Sequence, residues 1–311
     1  MPKRFKIAIA GVGGVGGFYG AKLALKYYTS NEVTIHFVAR GDHLDVIKRI
    51  GLKLITDASV IVAHPGTITD NPDSLGKLDL ILFCCKTYDL ENFAESFSSN
   101  ISEETFLVPL SNGVDNTQKL ARRYPKAKSL YACTYLISRL ESPGIVKMNG
   151  ILNQLLLGNP SLPTGELEKI MILFTDANIQ ASLHEDIQLK VWEKYSFVSP
   201  LALITTAYDC PIGKILESEE HKAALVELMH ELLNVSRREG IDLPHKTIEK
   251  NLEKMSNLPI GATSSMQVDF MAGRQMEMET LVKFVIDKAN IHGINVPTYR
   301  MLCDILETKI I

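Results

Sequence analysis

The sequence predicts an α/β domain built on a parallel sheet, followed by an all-α domain. Three observations predict it. Residues 5–10 form a short apolar run that leads straight into a glycine turn, Gly11-Val12-Gly13-Gly14-Val15-Gly16-Gly17. Residues 78–85 are almost continuously apolar, the pattern of a parallel strand covered on both faces. Strand patterns stop near His184, and from Glu185 onward apolar residues recur at helical spacing. Strands alternating with helices, then helices alone, imply two domains, 1–184 and 185–311. A chain of 311 residues has room for both.

The glycine turn carries most of the functional information. Gly11-x-Gly13-x-x-Gly16 follows a strand and precedes a helix-compatible run over 18–28, and a second strand over 33–39 closes a βαβ unit. In that context the spacing is the dinucleotide fingerprint of a Rossmann-type domain. Gly11 permits the tight turn. Gly13, without a Cβ, lets a pyrophosphate approach the backbone. Gly16 lets the helix pack on the strand. The backbone from Gly11 through Gly13, Gly14, Val15 and Gly16 is therefore the predicted phosphate cradle, at the positive end of the helix dipole.

The end of the second strand selects the cofactor. NAD-preferring folds place an acid there to bind the ribose 2′-hydroxyl. Here Arg40 occupies the place, followed by Gly41. A guanidinium pairs with a 2′-phosphate that a carboxylate would repel, so NADP(H) is the expected cofactor.

Further along, residues 52–56 and 60–63 read as a short hairpin. The strand over 78–85 ends in Lys86-Thr87-Tyr88, and another over 106–110 ends in Ser111-Asn112-Gly113. Both polar endings fall at the carboxyl edge of the sheet, where open α/β folds bind ligands. Residues 130–137, 144–148 and 154–158 read as three strands joined by turns, and 166–178 as a helix. In the second domain, helices are expected over 189–207, over 222–239 with Gly240 as the stop, and over 266–291 with His292-Gly293 as the stop. Pro297 opens a last one over 299–308.

Composition narrows the function classes. A net charge of −3 gives no general attraction to nucleic acid or anionic membranes. No apolar run reaches the ~20 residues of a membrane span. The five cysteines lack metal-site or CxxC spacing, so no metal is expected and a reducing, cytoplasmic setting is the simplest reading.

Taken together, the chain resembles the ketopantoate reductase (2-dehydropantoate 2-reductase) family along its whole length. The resemblance rests on the glycine turn, Val38-Ala39-Arg40-Gly41, Lys86-Thr87-Tyr88 and Ser111-Asn112-Gly113. Trp192-Glu193-Lys194, Cys210-Pro211-Ile212-Gly213, Ser264-Ser265-Met266-x-x-Asp269, Glu277 and His292-Gly293-Ile294-Asn295-Val296-Pro297 complete it. It implies NADPH-dependent reduction of ketopantoate to pantoate in pantothenate biosynthesis. It also implies site roles. Lys194 is the general acid. Glu277 helps hold that lysine and the substrate. Asn112 bridges cofactor and substrate, Lys86 lies near the cofactor ribose and the substrate, and Ser265 hydrogen-bonds the substrate. By spacing alone Lys194 would read as a surface helix charge and Ser264-x-x-Gln267 as a capping box. On one straight helix, Ser265 and Glu277 would stand about 18 Å apart, so both reach one small substrate only if the helix starts late or bends.

Two departures bear on the substrate. The family typically carries asparagines four and eight residues after its lysine; here these are Val198 and Ala202. A less polar pocket opens the alternative of another 2-oxo acid. A third reading, of a different class, is a non-catalytic NADPH-binding sensor. The helical half is compatible with a homodimer.

Overall fold

The structure is a computed structural model and describes residues 4–310. It divides into two compact units, Met1–Ser111 with Asp115–Ile187, and Asn112–Val114 with Gln188–Ile311. The second unit thus includes three residues that follow a strand of the first.

Among its described residues the first unit contains eleven strands: β1 (Phe5–Ala10), β2 (Val33–Val38), β3 (Leu52–Ile55), β4 (Val60–Ala63), β5 (Thr67–Thr69), β6 (Leu80–Phe83), β7 (Phe106–Pro109), β8 (Lys128–Ser129), β9 (Tyr131–Ser142), β10 (Ile145–Gly158) and β11 (Gln180–Leu183). Its helices are α1 (Gly14–Lys26), α2 (Gly41–Ile50), α3 (Leu90–Glu95), α4 (Asn116–Arg123) and α5 (Thr164–Asp176). Six strands form one sheet in the order β5-β2-β1-β6-β7-β8, with every pairing parallel. Numbered among themselves, they run 3-2-1-4-5-6, the doubly wound order with its switch point between β1 and β6.

Alternation along the central strands explains their apolar runs, residues 7–10 and 80–83. Ile7, Ile9, Leu80 and Leu82 point into one core with α1. Ala8, Ala10, Ile81 and Phe83 point into a second core with Leu90, Ala94 and Phe97. Both faces are covered over residues 7–10 and 80–83, so these stretches carry no polar side chain, whereas Lys6, nearer the start of β1, reaches the Leu75 carbonyl.

A second sheet, in the order β11-β10-β3-β4 with β9 beside β10, covers the other side of α1. The hairpin read at 52–63 is its β3–β4 pair. The three strands read between 130 and 158 are instead two long ones. Residues 145–148 and 154–158 belong to a single strand, β10, paired antiparallel with β9 across a register shift between Asn149 and Asn153, and Gly144 lies in the turn before it. Gly150, at φ +76°, lies at that irregularity and looks like a turn in the sequence.

His36 on β2 is buried, and neither ring nitrogen has a hydrogen-bond partner. Burial first, then the charge of Lys6, pushes its pKa down to about 4. The unfolded chain takes up the proton near pH ~6.5. The neutral ring's contribution is thus complete above that pH and is lost as pH falls toward 4, by about 2 kcal/mol at pH 5. Thermal melts at pH 7 and pH 5 check this: His36→Val is expected to shrink the wild-type drop in Tm between them.

The second unit is helical: α6 (Ile187–Ala207, its first residue counted with the first unit), α7 (Ile212–Glu217), α8 (Glu219–Arg238), α9 (Thr247–Ser256), α10 (Ser265–Met271), α11 (Phe284–His292) and α12 (Pro297–Ile310). The single helix expected over 266–291 does not form. α10 ends after seven residues in a Schellman motif: Gly273 adopts φ +62°, its N–H bonds the Phe270 carbonyl, and the Arg274 N–H bonds that of Asp269. The chain turns helical again at Met278 and passes through a π-helical segment, Glu279–Lys283, into α11. Pro297 opens α12, as expected. The buried Glu231 of α8 caps that helix by accepting the N–H groups of Thr298 and Tyr299 at 2.8 and 2.9 Å.

Candidate active site

The glycine turn sits at the switch point of the parallel sheet. Gly11 takes φ +94°, a conformation side chains rarely adopt, and its N–H bonds the Val38 carbonyl at the end of β2. Nothing lies within 4 Å of where a Cβ on Gly13 would stand, so the backbone there is open to a ligand. A Cβ on Gly16 would run into the carbonyl oxygen of Gly11, which is the close helix–strand packing the motif requires. The extra glycines have another reason, invisible in the sequence. Side chains at Gly14 and Gly17 would strike Ser138 of β9 and Val146 of β10, because the second sheet lies against α1. The Ser138 hydroxyl donates to the Gly14 carbonyl at 2.8 Å. No acid occupies the first turn of α1 and no side chain caps it, so its dipole faces the turn uncompensated. These features fit the pyrophosphate of a dinucleotide.

Arg40 is exposed and stands at the N-cap of α2, next to Gly41 at φ +58°. His43, which sequence reasoning passed over, ties this helix to the glycine turn. Its Nε2 lies 2.8 Å from the Val12 carbonyl, and its Nδ1 lies 2.9 Å from the Gly144 N–H. A carbonyl must receive a proton and an N–H must give one, so the ring is neutral with its proton on Nε2. Burial, as the larger influence, pulls its pKa below the usual imidazole value. Lys86 is half-buried three residues past the end of β6, and the Ser111 hydroxyl joins the segments that follow β6 and β7 by donating to the Cys85 carbonyl at 2.7 Å. The Cys84 thiol is held protonated by burial and by neighbouring Cys85, so it offers no nucleophile.

In the second unit, Lys194 is half-buried on α6 and donates from Nζ to Asn112 Oδ1 at 3.0 Å. Two residues 82 positions apart thus meet. Glu277 is buried, at 5% exposure, where the chain leaves the irregular stretch after α10. Ser265 is the exposed first residue of α10. Its neighbour Ser264 is the cap: it accepts the Gln267 N–H at 3.1 Å and pairs with Thr205 of α6 at 3.0 Å. The expected capping box is only half made, because the Gln267 Oε1 accepts the Thr263 hydroxyl, while its Nε2 donates to Asp209. The Thr280 carbonyl, three residues past Glu277, is tied to Tyr195 of α6 at 2.7 Å. The two segments are therefore anchored ten residues apart on α6, about 15 Å along its axis.

Val198 and Ala202 follow Lys194 at one-turn intervals on the same helix face. Val198 is half-buried and Ala202 buried, so that face is apolar beyond the lysine. Tyr195 and Ser199 occupy the adjacent face, which packs on the π segment and α11 through Trp192, Tyr195 and Phe284.

A doubly wound sheet with a glycine turn at its switch point, together with a helical unit that orients a lysine, defines a nucleotide-dependent oxidoreductase class. The comparisons give the family. The ketopantoate reductase PanE/ApbA family matches residues 7–161, and its C-terminal domain matches residues 186–309. The chain belongs to the ketopantoate reductase family. It is 26% identical over 285 residues to an uncharacterized oxidoreductase of Bacillus subtilis, covering 91% of this chain and 92% of that one. It is 25% identical over 306 residues to a 2-dehydropantoate 2-reductase of Streptococcus pyogenes, covering 97% of each. Among solved structures, a 2-dehydropantoate 2-reductase from Porphyromonas gingivalis superposes with a TM-score of 0.84 at 29% identity, covering 96% of this chain and 98% of that one.

Proposed function

We propose that this chain reduces ketopantoate to pantoate with NADPH, supplying pantothenate biosynthesis in the cytoplasm. The observation that carries the reading is the Lys194–Asn112 pair at 3.0 Å. Bound NADPH supplies the hydride. Addition of hydride to a ketone leaves an alkoxide, and an ammonium beside it stabilises the charge and then gives up a proton. An ammonium has three N–H donors, so the bond to Asn112 orients Lys194 without exhausting it. Buried Glu277 offsets the lysine's charge and helps orient it and the substrate. Residues 1–184 hold the cofactor through Gly11, Gly13, Gly14, Val15, Gly16, Arg40 and Lys86. Residues 185–311, with Asn112, hold the substrate.

The apolar face formed by Val198 and Ala202 favours a second reading, in which the substrate is a 2-oxo acid lacking the ketopantoate hydroxyl. A pocket built for a hydroxyl rejects an analogue without one, and the family's two amides are missing here. The deciding experiment is NADPH oxidation by the purified protein with ketopantoate and a panel of 2-oxo acids without the hydroxyl. Preference for ketopantoate supports the first reading, and preference for an apolar acid the second. No turnover despite tight NADPH binding overturns both in favour of a sensor.

Cofactor choice has its own test. Arg40→Ala is expected to weaken NADPH binding by on the order of 10–100-fold, one charge-assisted phosphate contact, and to leave NADH binding nearly unchanged. Equal losses for both nucleotides, in fluorescence titrations, would remove Arg40 from the 2′-phosphate.

A further inference from the structure

The π-helical segment Glu279–Lys283 begins two residues after Glu277. π turns are rare and are less well bonded than α turns, so one that persists is held in place by its surroundings. Here the holding groups are on α6. The Tyr195 hydroxyl donates to the Thr280 carbonyl at 2.7 Å, and the Ser199 hydroxyl donates to the Leu281 carbonyl at 2.6 Å. The Ser199 proton is then committed, so the Tyr299 hydroxyl, 2.7 Å away, donates to Ser199. All three side chains are buried, and Tyr299 keeps its proton because burial raises its pKa. Tyr299 is fixed in turn by its backbone N–H, which the Glu231 carboxylate accepts.

We propose that Tyr195 and Ser199 are positioning residues for the reduction, whose hydroxyls hold the π turn open and so set the orientation of Glu277. The proposal rests on the reading above, in which Glu277 serves the same site as Lys194. Relaxing a π turn to an α turn removes one residue from the turn, which rotates the upstream chain by roughly 100° and shifts it about 1.5 Å. α11 is held by the Trp192–Tyr195–Phe284 cluster, so the upstream chain, which bears Glu277, is the part that moves. Tyr195 follows Lys194 directly and Ser199 lies one turn on, so a single helix orients the lysine on one face and the carboxylate's segment on the next.

The test uses Tyr195→Phe, Ser199→Ala and their double variant, each in the wild-type and in a Glu277→Gln background. Tyr195→Phe keeps the aromatic packing, so it reports the hydroxyl even if the double variant folds poorly. Ser236→Ala, which removes a buried hydroxyl bonded to the Leu233 carbonyl on α8, is the control and leaves kcat unchanged. Loss of the clamp is expected to speed amide exchange over residues 278–285 in the cofactor-free protein. It lowers kcat on the order of 10–30-fold with KM for NADPH within about twofold, and adds less than about threefold in the Glu277→Gln background. Unchanged exchange, unchanged kcat, or an equal loss in the Glu277→Gln background overturns the proposal. If the wild type reduces no 2-oxo acid, the functional reading has failed instead, and the exchange measurement still decides whether the hydroxyls hold the turn.

Discussion

Lys194→Ala is expected to lower kcat by about 10²–10⁴-fold, the usual worth of a positioned general acid, with little change in NADPH affinity. On the proposed reading two terms are lost together: the charge that would stabilise the developing alkoxide and the proton that would end the reaction. Asn112 fixes the lysine's direction at 3.0 Å, so the effect depends on geometry as well as on charge. Lys194→Arg is a sharper form of the same test. It keeps the positive charge, but a guanidinium does not give up its proton near neutral pH, and its planar fork does not reproduce a point donor. It is therefore expected to recover little of the loss. Steady-state kinetics with the preferred 2-oxo acid, beside a fluorescence titration with NADPH, separates chemistry from binding. Near-normal turnover in Lys194→Ala would remove it as the acid, whatever the substrate.

The elements that the sequence made legible were those set by local rules. The apolar strand, the glycine turn and the helix after it appear where the fingerprint places them. Gly240 and Gly293 stop α8 and α11 at φ +82° and +65°, as a helix-ending glycine should. Gly273 makes the same motif at φ +62°, yet the sequence does not mark it as a stop, because apolar residues recur on both sides of it at helical spacing. The sequence divides the single strand β10 for the converse reason: Gly150, at its register shift, looks like a turn. Other features depend on partners distant in sequence. Gly14 and Gly17 are small because β9 and β10 lie against α1. Asn112 meets Lys194 across 82 positions. The π turn has no pattern of its own, and the hydroxyls that meet it come from residues 195 and 199. Sequence spacing reports neither a second sheet over a helix nor a hydroxyl reaching another helix's carbonyl.

Gly13→Ala is expected to reduce NADPH affinity by about 100-fold and to leave the melting temperature of the cofactor-free protein unchanged. Gly13 has φ −75°, outside the positive range that side chains avoid, and no atom beyond its chain neighbours lies within 4 Å of the new methyl group. Folding therefore has no reason to notice the substitution. The methyl group would instead occupy the space through which a pyrophosphate reaches the backbone N–H groups. Displacing one or two charge-assisted hydrogen bonds costs about 3 kcal/mol, which is roughly the 100-fold expected. Gly16→Ala behaves oppositely, since its Cβ would collide with the Gly11 carbonyl and push α1 away from β1. It is expected to lower the melting temperature even without cofactor. Calorimetric melts and NADPH titrations of the two variants therefore separate ligand space from packing space within one turn. A Gly13→Ala protein that binds NADPH normally would place the pyrophosphate elsewhere and remove the main physical support for the phosphate cradle.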